Sequence, residues 1–278
     1  MITRFAPSPT GPLHLGHAYS ACLAHDAAKA AKGTFLLRIE DIDQSRVRPD
    51  WEAQIFDDLA WLGLEWPCPI MRQSQRLPAY HAALQKLWDA DLLYPCNCNR
   101  RDIREAATAP QDGNPQIGPD GIVYPGTCRD TPRPAQMPMD TAMRLNMREA
   151  AQRSVIFEET GSLHSGISQT SPDDMVTQIG DIVLSRRGMG TSYHLAVTVD
   201  DATQNVTDVI RGADLFEATR IHVLLQMLLG LPTPRYHHHA LIRDDAGKRL
   251  AKRDDARAIA KYRADGLSPA DIRQRVGL

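Results

Sequence analysis

The chain has no apolar run near the roughly 18 residues that a membrane-spanning helix needs. Its N-terminus, Met1 to Pro9, lacks the charged head and long apolar stretch of a secretory signal, so a cytoplasmic protein with no membrane partner is expected. Charge of one sign is also missing: 32 Lys+Arg against 34 Asp+Glu leave −2. Coating of nucleic acid without sequence preference needs excess positive charge and is excluded, whereas a specific nucleic-acid substrate held by a local basic surface is not. Five cysteines are too few, and odd in number, for a disulfide scaffold. Internal repeats and low-complexity segments are lacking too. What is present is a 278-residue chain with 42% hydrophobic residues, enough for a full core in one large domain or two small ones.

The first forty residues read as strand, helix, strand. Ile2 to Ala6 is a short strand, Pro7 to Pro12 a proline-rich loop, and Gly16 to Lys32 an alanine-rich helix closed by Gly33 as its C-cap. Thr34 to Ile39 is β-branched and apolar, a buried strand. This unit belongs to parallel sheets, so an α/β nucleotide-binding fold is expected. Helices are expected at Asp50–Leu62 and Gln75–Ala90, from apolar residues at three- and four-residue spacing. From Cys96 to Met139 the chain is rich in breakers and poor in periodicity, which suits a loop-rich insertion. Strands return at Ala142–Leu145, Val155–Glu158, Asp181–Ser185, Val206–Arg211 and Tyr236–Ile242, with a long helix at Ala213–Leu229 and a helical tail. The expected division is 1–94 as the first half of a Rossmann-type domain and 95–140 as a metal-binding part of the insertion. The rest of the insertion and the second half of the domain fill 141–242, and a loop and helical tail fill 243–278.

The sharpest chemical signal is Pro7-Ser8-Pro9-Thr10-Gly11-Pro12-Leu13-His14-Leu15-Gly16-His17, between the first strand and the first helix. A helix N-terminus there offers free backbone N–H groups and a positive dipole end to phosphate. Gly16 lets a nucleotide ring approach the backbone, and His14 and His17, three apart, face one side and can donate hydrogen bonds to charge developing in a transition state.

Here the chain resembles the class I aminoacyl-tRNA synthetases. His14-Leu15-Gly16-His17 is similar to their "HIGH" signature, and Gly247-Lys248-Arg249-Leu250-Ala251-Lys252-Arg253 to their second, "KMSKS". Arg4 to Gly11, Leu37 to Asp43, Ser192 to Val197 and Val209 to Leu215 resemble the glutamyl-tRNA synthetase branch. The resemblance implies a class I Rossmann-type parallel sheet and ATP, with accompanying Mg2+, as substrate. It makes His14, His17 and Lys252 catalytic, and His14, Gly16, His17 and Lys252 the ATP-binding set. It assigns Arg4, Ala6, Ser8, Glu40, Tyr193 and Arg211 to glutamate. The chemistry agrees: guanidinium pairs bidentately with carboxylate, Glu40 offers an anion for the ammonium, and Tyr193 a hydroxyl on a rigid ring. Ala251 stands where the second signature has Ser, which removes a hydroxyl but keeps the Lys252 charge.

Taken alone, Cys96-x-Cys98 with Tyr124-x3-Cys128 leaves zinc and three reduced thiols both open, though an insertion without its own core needs a staple. Cys22 and Cys68 read as packing residues. His237-His238-His239 lie in a strand, where neighbours face opposite ways, and cannot converge on one ion. The chain ends soon after the second signature, so an anticodon-binding domain is not expected, and the resemblance is closest to the glutamyl-queuosine tRNA(Asp) synthetase family, which shares the Cys-x-Cys…Tyr-x3-Cys zinc pattern. That likeness implies one structural zinc on Cys96, Cys98, Tyr124 and Cys128. It also implies activation of L-glutamate with ATP without tRNA, and transfer to queuosine in the anticodon loop of tRNA(Asp). Arg100, Arg101 and Arg104 are the candidate local basic patch, and a monomer is expected. The alternative is the catalytic part of a glutamyl-tRNA synthetase, charging tRNA(Glu).

Overall fold

A computed structural model describes residues 1–108, 115–242 and 257–278. In chain order the strands are β1 (Ile2–Phe5), β2 (Thr34–Ile39), β3 (Met71–Arg72), β4 (Leu93–Cys96), β5 (Ile117–Gly118), β6 (Gly121–Ile122), β7 (Ala142–Leu145), β8 (Val155–Glu159), β9 (Gly166–Thr170), β10 (Val183–Ser185), β11 (Asp208–Gly212) and β12 (Arg235–His239). The helices are α1 (Leu15–Ala30), α2 (Pro49–Trp61), α3 (Leu77–Asp89), α4 (Arg100–Thr108), α5 (Met147–Ala150), α6 (Pro172–Asp174), α7 (Tyr193–Thr203), α8 (Phe216–Leu229), α9 (Ile259–Ala264) and α10 (Pro269–Val276). None of the described helices is long and apolar enough to cross a membrane.

β1, β2 and β3 pair in parallel, as do β11, β12 and β8, with β9 added antiparallel at the edge. β1 runs beside β11, joined where Thr207 N–H donates to the Ile2 carbonyl at 2.9 Å. The order is therefore β3-β2-β1-β11-β12-β8-β9. After β1 the chain moves outward one way, and it returns later on the other side of β1. Such a reversal opens a crevice at the carboxyl ends of the central strands, the usual ligand site of an α/β sheet.

α1 shows why this crevice is tight. Its buried face is Leu15, Ala18, Ala21, Cys22, Ala24 and Ala28, mostly small side chains, so the helix lies close to the sheet and Thr3 Oγ1 donates to the Ala24 carbonyl at 2.8 Å. The expected C-cap at Gly33 is corrected. Lys32 takes the left-handed position, with φ +50°, and Gly33 N–H closes the turn on the Ala28 carbonyl at 2.8 Å. Glycine is needed at 33 for a different reason: a Cβ there would lie 2.0 Å from the Met1 carbonyl oxygen.

Two buried clusters share the sheet. One gathers α1, α2, β1 and β2 and is sealed by Ile272 and Val276 of α10, which pins the tail. The other packs α3, α7 and α8 against β4, β7, β8 and β12. Each fully buried aliphatic side chain in them contributes about 1.5–3 kcal/mol. The insertion has an antiparallel sheet, β10-β7-β4, a β5–β6 hairpin and α4. Among the described residues, its outer part buries Tyr94, Cys96 and Tyr124 together, with Cys98, Ile103 and Cys128 packed against them. Cys22 is a packing residue as expected, but Cys68 is exposed, a second correction: its flanking prolines hold it in a surface loop rather than in an element with a buried face.

Candidate active site

The turn into α1 is capped by its own histidines. His14 is the N-cap; its Nδ1 accepts from Gly16 N–H at 3.1 Å, and His17 Nδ1 accepts from His14 N–H at 3.1 Å. Both Nδ1 atoms are acceptors, so each neutral ring carries its proton on Nε2. The rings stack with centroids 3.8 Å apart. Gly16 makes the fold-over possible, because a Cβ would sit 3.0 Å from His14 Cε1. Two N–H donors are thus aligned at a helix N-terminus, the arrangement that suits phosphate.

Arg4 lies in β1 and is tied to Asp201 of α7, Nε to Oδ1 at 3.1 Å and Nη2 to Oδ2 at 3.2 Å. The same carboxylate accepts from Arg38 Nη1 at 2.7 Å, and Arg38 Nη2 reaches Glu40 at 3.1 Å. Burial opposes ionisation of Asp201, but the two guanidinium groups outweigh it and hold its carboxyl below the usual range. For Glu40 burial wins over Arg38 and Arg4, and its carboxyl is raised. Sequence reasoning missed Arg38 and Asp201. The only available signal was an Arg in an otherwise apolar strand and an Asp pair, Asp200-Asp201, on an apolar helix.

Arg211, at the end of β11, is held differently. Its Nε donates to His238 Nε2 at 3.1 Å, and Nη2 donates to Thr219 Oγ1 at 2.7 Å and His222 Nδ1 at 3.2 Å. Arginine cannot accept, so both imidazole nitrogens facing it are acceptors and both rings are neutral. Burial and the nearby Arg211 charge agree, pushing His238 down to about 4 and His222 well below the imidazole range.

A cavity of about 310 Å³ brings these parts together; Arg4, Ala6, His14, Gly16, His17, Glu40, Tyr193 and Arg211 all line it. Ser8 lines an adjoining cavity of about 190 Å³, which shares Glu40 and Tyr193 with the first. Lys252 and Ala251 lie outside the described residues. The described ends beside that segment meet the site: Ile242 lines the cavity, and Ala258 forms an antiparallel bridge to His14.

The Cys96, Cys98 and Cys128 sulfurs lie within 4.8 Å of one another, with Cys98 and Cys128 at 3.5 Å. Tyr124 Oη is 3.5 Å from Cys96 Sγ and 3.3 Å from Cys98 Sγ. Tetrahedral zinc would hold sulfurs about 3.8 Å apart, so the set fits with little movement. Among the described residues it is the one His, Cys and acidic group able to hold an ion, and no carboxylate cage for Mg2+ accompanies it. Arg100 and Arg104 line a cavity of about 690 Å³ beside this set, with Arg186 and Arg187, while Arg101 points away and pairs with Glu105 at 2.6 Å.

The family described as tRNA synthetases class I (E and Q), catalytic domain, matches residues 1–278. The chain belongs to that family. It is therefore an aminoacyl-tRNA synthetase-like ligase, and the expected class I fold stands. It is 65% identical over 280 residues to a glutamyl-Q tRNA(Asp) synthetase of Rhodobacter capsulatus, covering 100% of both chains. It is 40% identical over 263 residues to the protein of that name in Geobacter sulfurreducens, covering 95% of this chain and 79% of that one. Among solved structures, a glutamate tRNA ligase from Elizabethkingia meningosepticum in complex with its amino acid superposes with TM-score 0.78 at 26% identity. That match covers 99% of this chain, which spans 60% of the ligase's length. Mycobacterium tuberculosis methionyl-tRNA synthetase, at TM-score 0.63 and 12% identity, shares the fold.

Proposed function

We propose that the chain activates L-glutamate with ATP without tRNA and transfers it to queuosine in the anticodon loop of tRNA(Asp). The observation that carries this reading is the single cavity holding the histidine pair, Glu40 and Arg211, whose charge faces neutral partners. The side-chain carboxylate of glutamate supplies Arg211 with an anion, which none of the described residues gives it in an ion pair, with Arg4 on the opposite wall. Glu40 receives the ammonium and Tyr193 a hydrogen bond. The α-carboxylate oxygen then attacks the α-phosphorus of ATP, the bond to the bridging oxygen breaks, and pyrophosphate leaves. His14 and His17 donate from Nε2 to charge that grows in that step, and Lys252 is assigned the leaving phosphates. Mg2+ arrives with ATP, held by the phosphates. Zinc, on Cys96, Cys98, Tyr124 and Cys128, supplies a structural staple to an insertion whose own core is small. In the second step a hydroxyl of the queuosine cyclopentenediol attacks the glutamyl carbonyl and AMP leaves. The full-length likeness to glutamyl-Q tRNA(Asp) synthetases supports this acceptor.

Acceptor profiling tests the reading. Labelled glutamate and ATP are offered with tRNA(Asp) carrying queuosine, tRNA(Asp) lacking it, and tRNA(Glu). Label should enter only the first. Robust charging of tRNA(Glu) would replace this reading with that of a glutamyl-tRNA synthetase catalytic part.

A further inference from the structure

Arg211 sits at the junction of two hydrogen-bonded arms. On one side its Nη atoms donate to His222 Nδ1, and His222 Nε2 lies 3.1 Å from His194 Nδ1. His194 Nε2 in turn lies 3.6 Å from Asp120 Oδ1. On the other side Arg211 Nε donates to His238 Nε2, and His238 Nδ1 lies 2.5 Å from Glu159 Oε2. All three imidazoles are buried.

The partners fix every ring proton. Because Arg211 only donates, His222 Nδ1 accepts and its proton sits on Nε2, which donates to His194 Nδ1. The His194 proton is then on Nε2, facing Asp120. His238 accepts at Nε2 and carries its proton on Nδ1, donated to Glu159. Hydrogen bonds therefore run outward from the guanidinium, through His238 to Glu159 on one arm and through His222 to His194 on the other, where His194 Nε2 faces the Asp120 carboxylate at 3.6 Å. A carboxylate placed directly on Arg211, as Asp201 is on Arg4, would compete with the substrate anion. An imidazole spacer holds the guanidinium in place and leaves its charge available.

We infer that His222, His194 and His238 are positioning residues for Arg211, and that Asp120 ties this chain to the β5–β6 hairpin of the insertion. The inference rests on the reading of Arg211 as the receptor for the glutamate side-chain carboxylate. Asp120 also lines the arginine-bordered cavity beside the cysteine set, so the chain is a physical connection between that surface and the amino-acid site.

Glutamate-dependent ATP–pyrophosphate exchange tests it on the full chain. His222→Leu removes the acceptor and should raise KM for glutamate about tenfold with kcat and KM for ATP little changed, the pattern of lost uniform binding. His222→Asn places an acceptor oxygen near the Nδ1 position and should restore most of the affinity, which a purely packing role would not predict. Asp120→Asn should raise the same KM a fewfold. Nitrogen NMR of ring-labelled histidine gives an independent readout: His194 and His222 should be neutral Nε2–H tautomers, and His238 the less common Nδ1–H form. A KM raised in Arg211→Ala but unchanged in His222→Leu would overturn the inference alone. An unchanged KM in Arg211→Ala would overturn the carboxylate reading and the inference with it. A charged His222, or its opposite tautomer, would break the chain as drawn.

Discussion

Two walls of one cavity hold arginine in opposite ways. On the β1–β2 side, Arg4 and Arg38 share Asp201, and Arg38 also reaches Glu40, so the charges are paired inside the protein. On the β11–β12 side, Arg211 donates to two imidazoles, a hydroxyl and the Leu215 carbonyl, and among the described residues it forms no ion pair, Glu159 lying beyond the His238 ring. Paired buried charge holds structure together, and removing one partner leaves the others stranded in a medium that solvates them poorly. Charge without a buried counter-ion is available to a ligand. Under the proposed function, the first wall is chiefly architectural and presents Glu40 to the ammonium, while Arg211 on the second discriminates the substrate side chain.

The largest effect should come from breaking the first wall. Asp201→Asn keeps the volume but leaves Arg4 and Arg38 with Glu40 as their nearest anion, and should cost about 3–5 kcal/mol of stability by urea unfolding. A loss below that of Arg211→Ala would erase the distinction between the walls. Arg211→Ala should instead lower kcat/KM for glutamate by about 10²-fold, the scale of a lost charge-assisted contact. Glutamine should already be a poor substrate for the unaltered enzyme, because its neutral amide leaves Arg211 unpaired. Equal kcat/KM for the two amino acids would place the guanidinium elsewhere. His17→Ala should lower kcat rather than glutamate affinity, by about 10²-fold.

The two walls were unequally legible in the sequence. β2 and β7 lie at the expected residues, and most of the other strands and helices lie within about two residues of theirs, since apolar periodicity and the Pro-Gly punctuation of the first loop record local structure directly. Arg4, Glu40, Tyr193 and Arg211 could be proposed as one group because the resemblance to the glutamyl-tRNA synthetase branch assigns them together, and Arg4, Glu40 and Arg211 fall at expected strand ends that point at the same crevice. The partners could not. Asp201 meets Arg4 across a separation of 197 residues, and His222 and His238 reach Arg211 from a helix and a neighbouring strand. Nothing in local pattern distinguishes His238, bound to Glu159 and Arg211, from His237, which faces the other way to Thr160. α4 was harder to read because its apolar stripe is short, Ile103, Ala106 and Ala107, and none of the three is fully buried.

The cysteine set should matter less to either wall. Elemental analysis should find about one zinc per chain, and chelation should expose the 95–140 segment to protease while the sheet stays folded. The effect on KM for glutamate should be no larger than that of Asp120→Asn, since Asp120 is the described link from the insertion to Arg211. Ordered, metal-free protein with intact thiols would remove the staple from the account.

The smallest effect lies in the pH dependence of stability, and it reports on the second wall. His222 is neutral when folded, its ionisation held far below the usual value by burial and by Arg211, while the unfolded chain protonates it near 6.5. Between those values the unfolded state binds the extra proton, so stability rises with pH there; it is fully present above about 6.5 and is lost as pH falls. His238, folded at about 4, acts in the same direction. Asp58 acts oppositely: it is buried without a hydrogen-bond partner, and burial raises it to about 6, so the folded state takes up a proton first and gains stability as pH falls. The unaltered protein shows only the net of these slopes. The difference between it and His222→Gln isolates one histidine, and should approach about 1.4 kcal/mol per pH unit between roughly pH 6 and 5. Urea midpoints at half-unit steps would measure it. Parallel curves for the two proteins would mean that His222 carries a proton in the folded state, and that Arg211 faces a cation rather than a neutral acceptor.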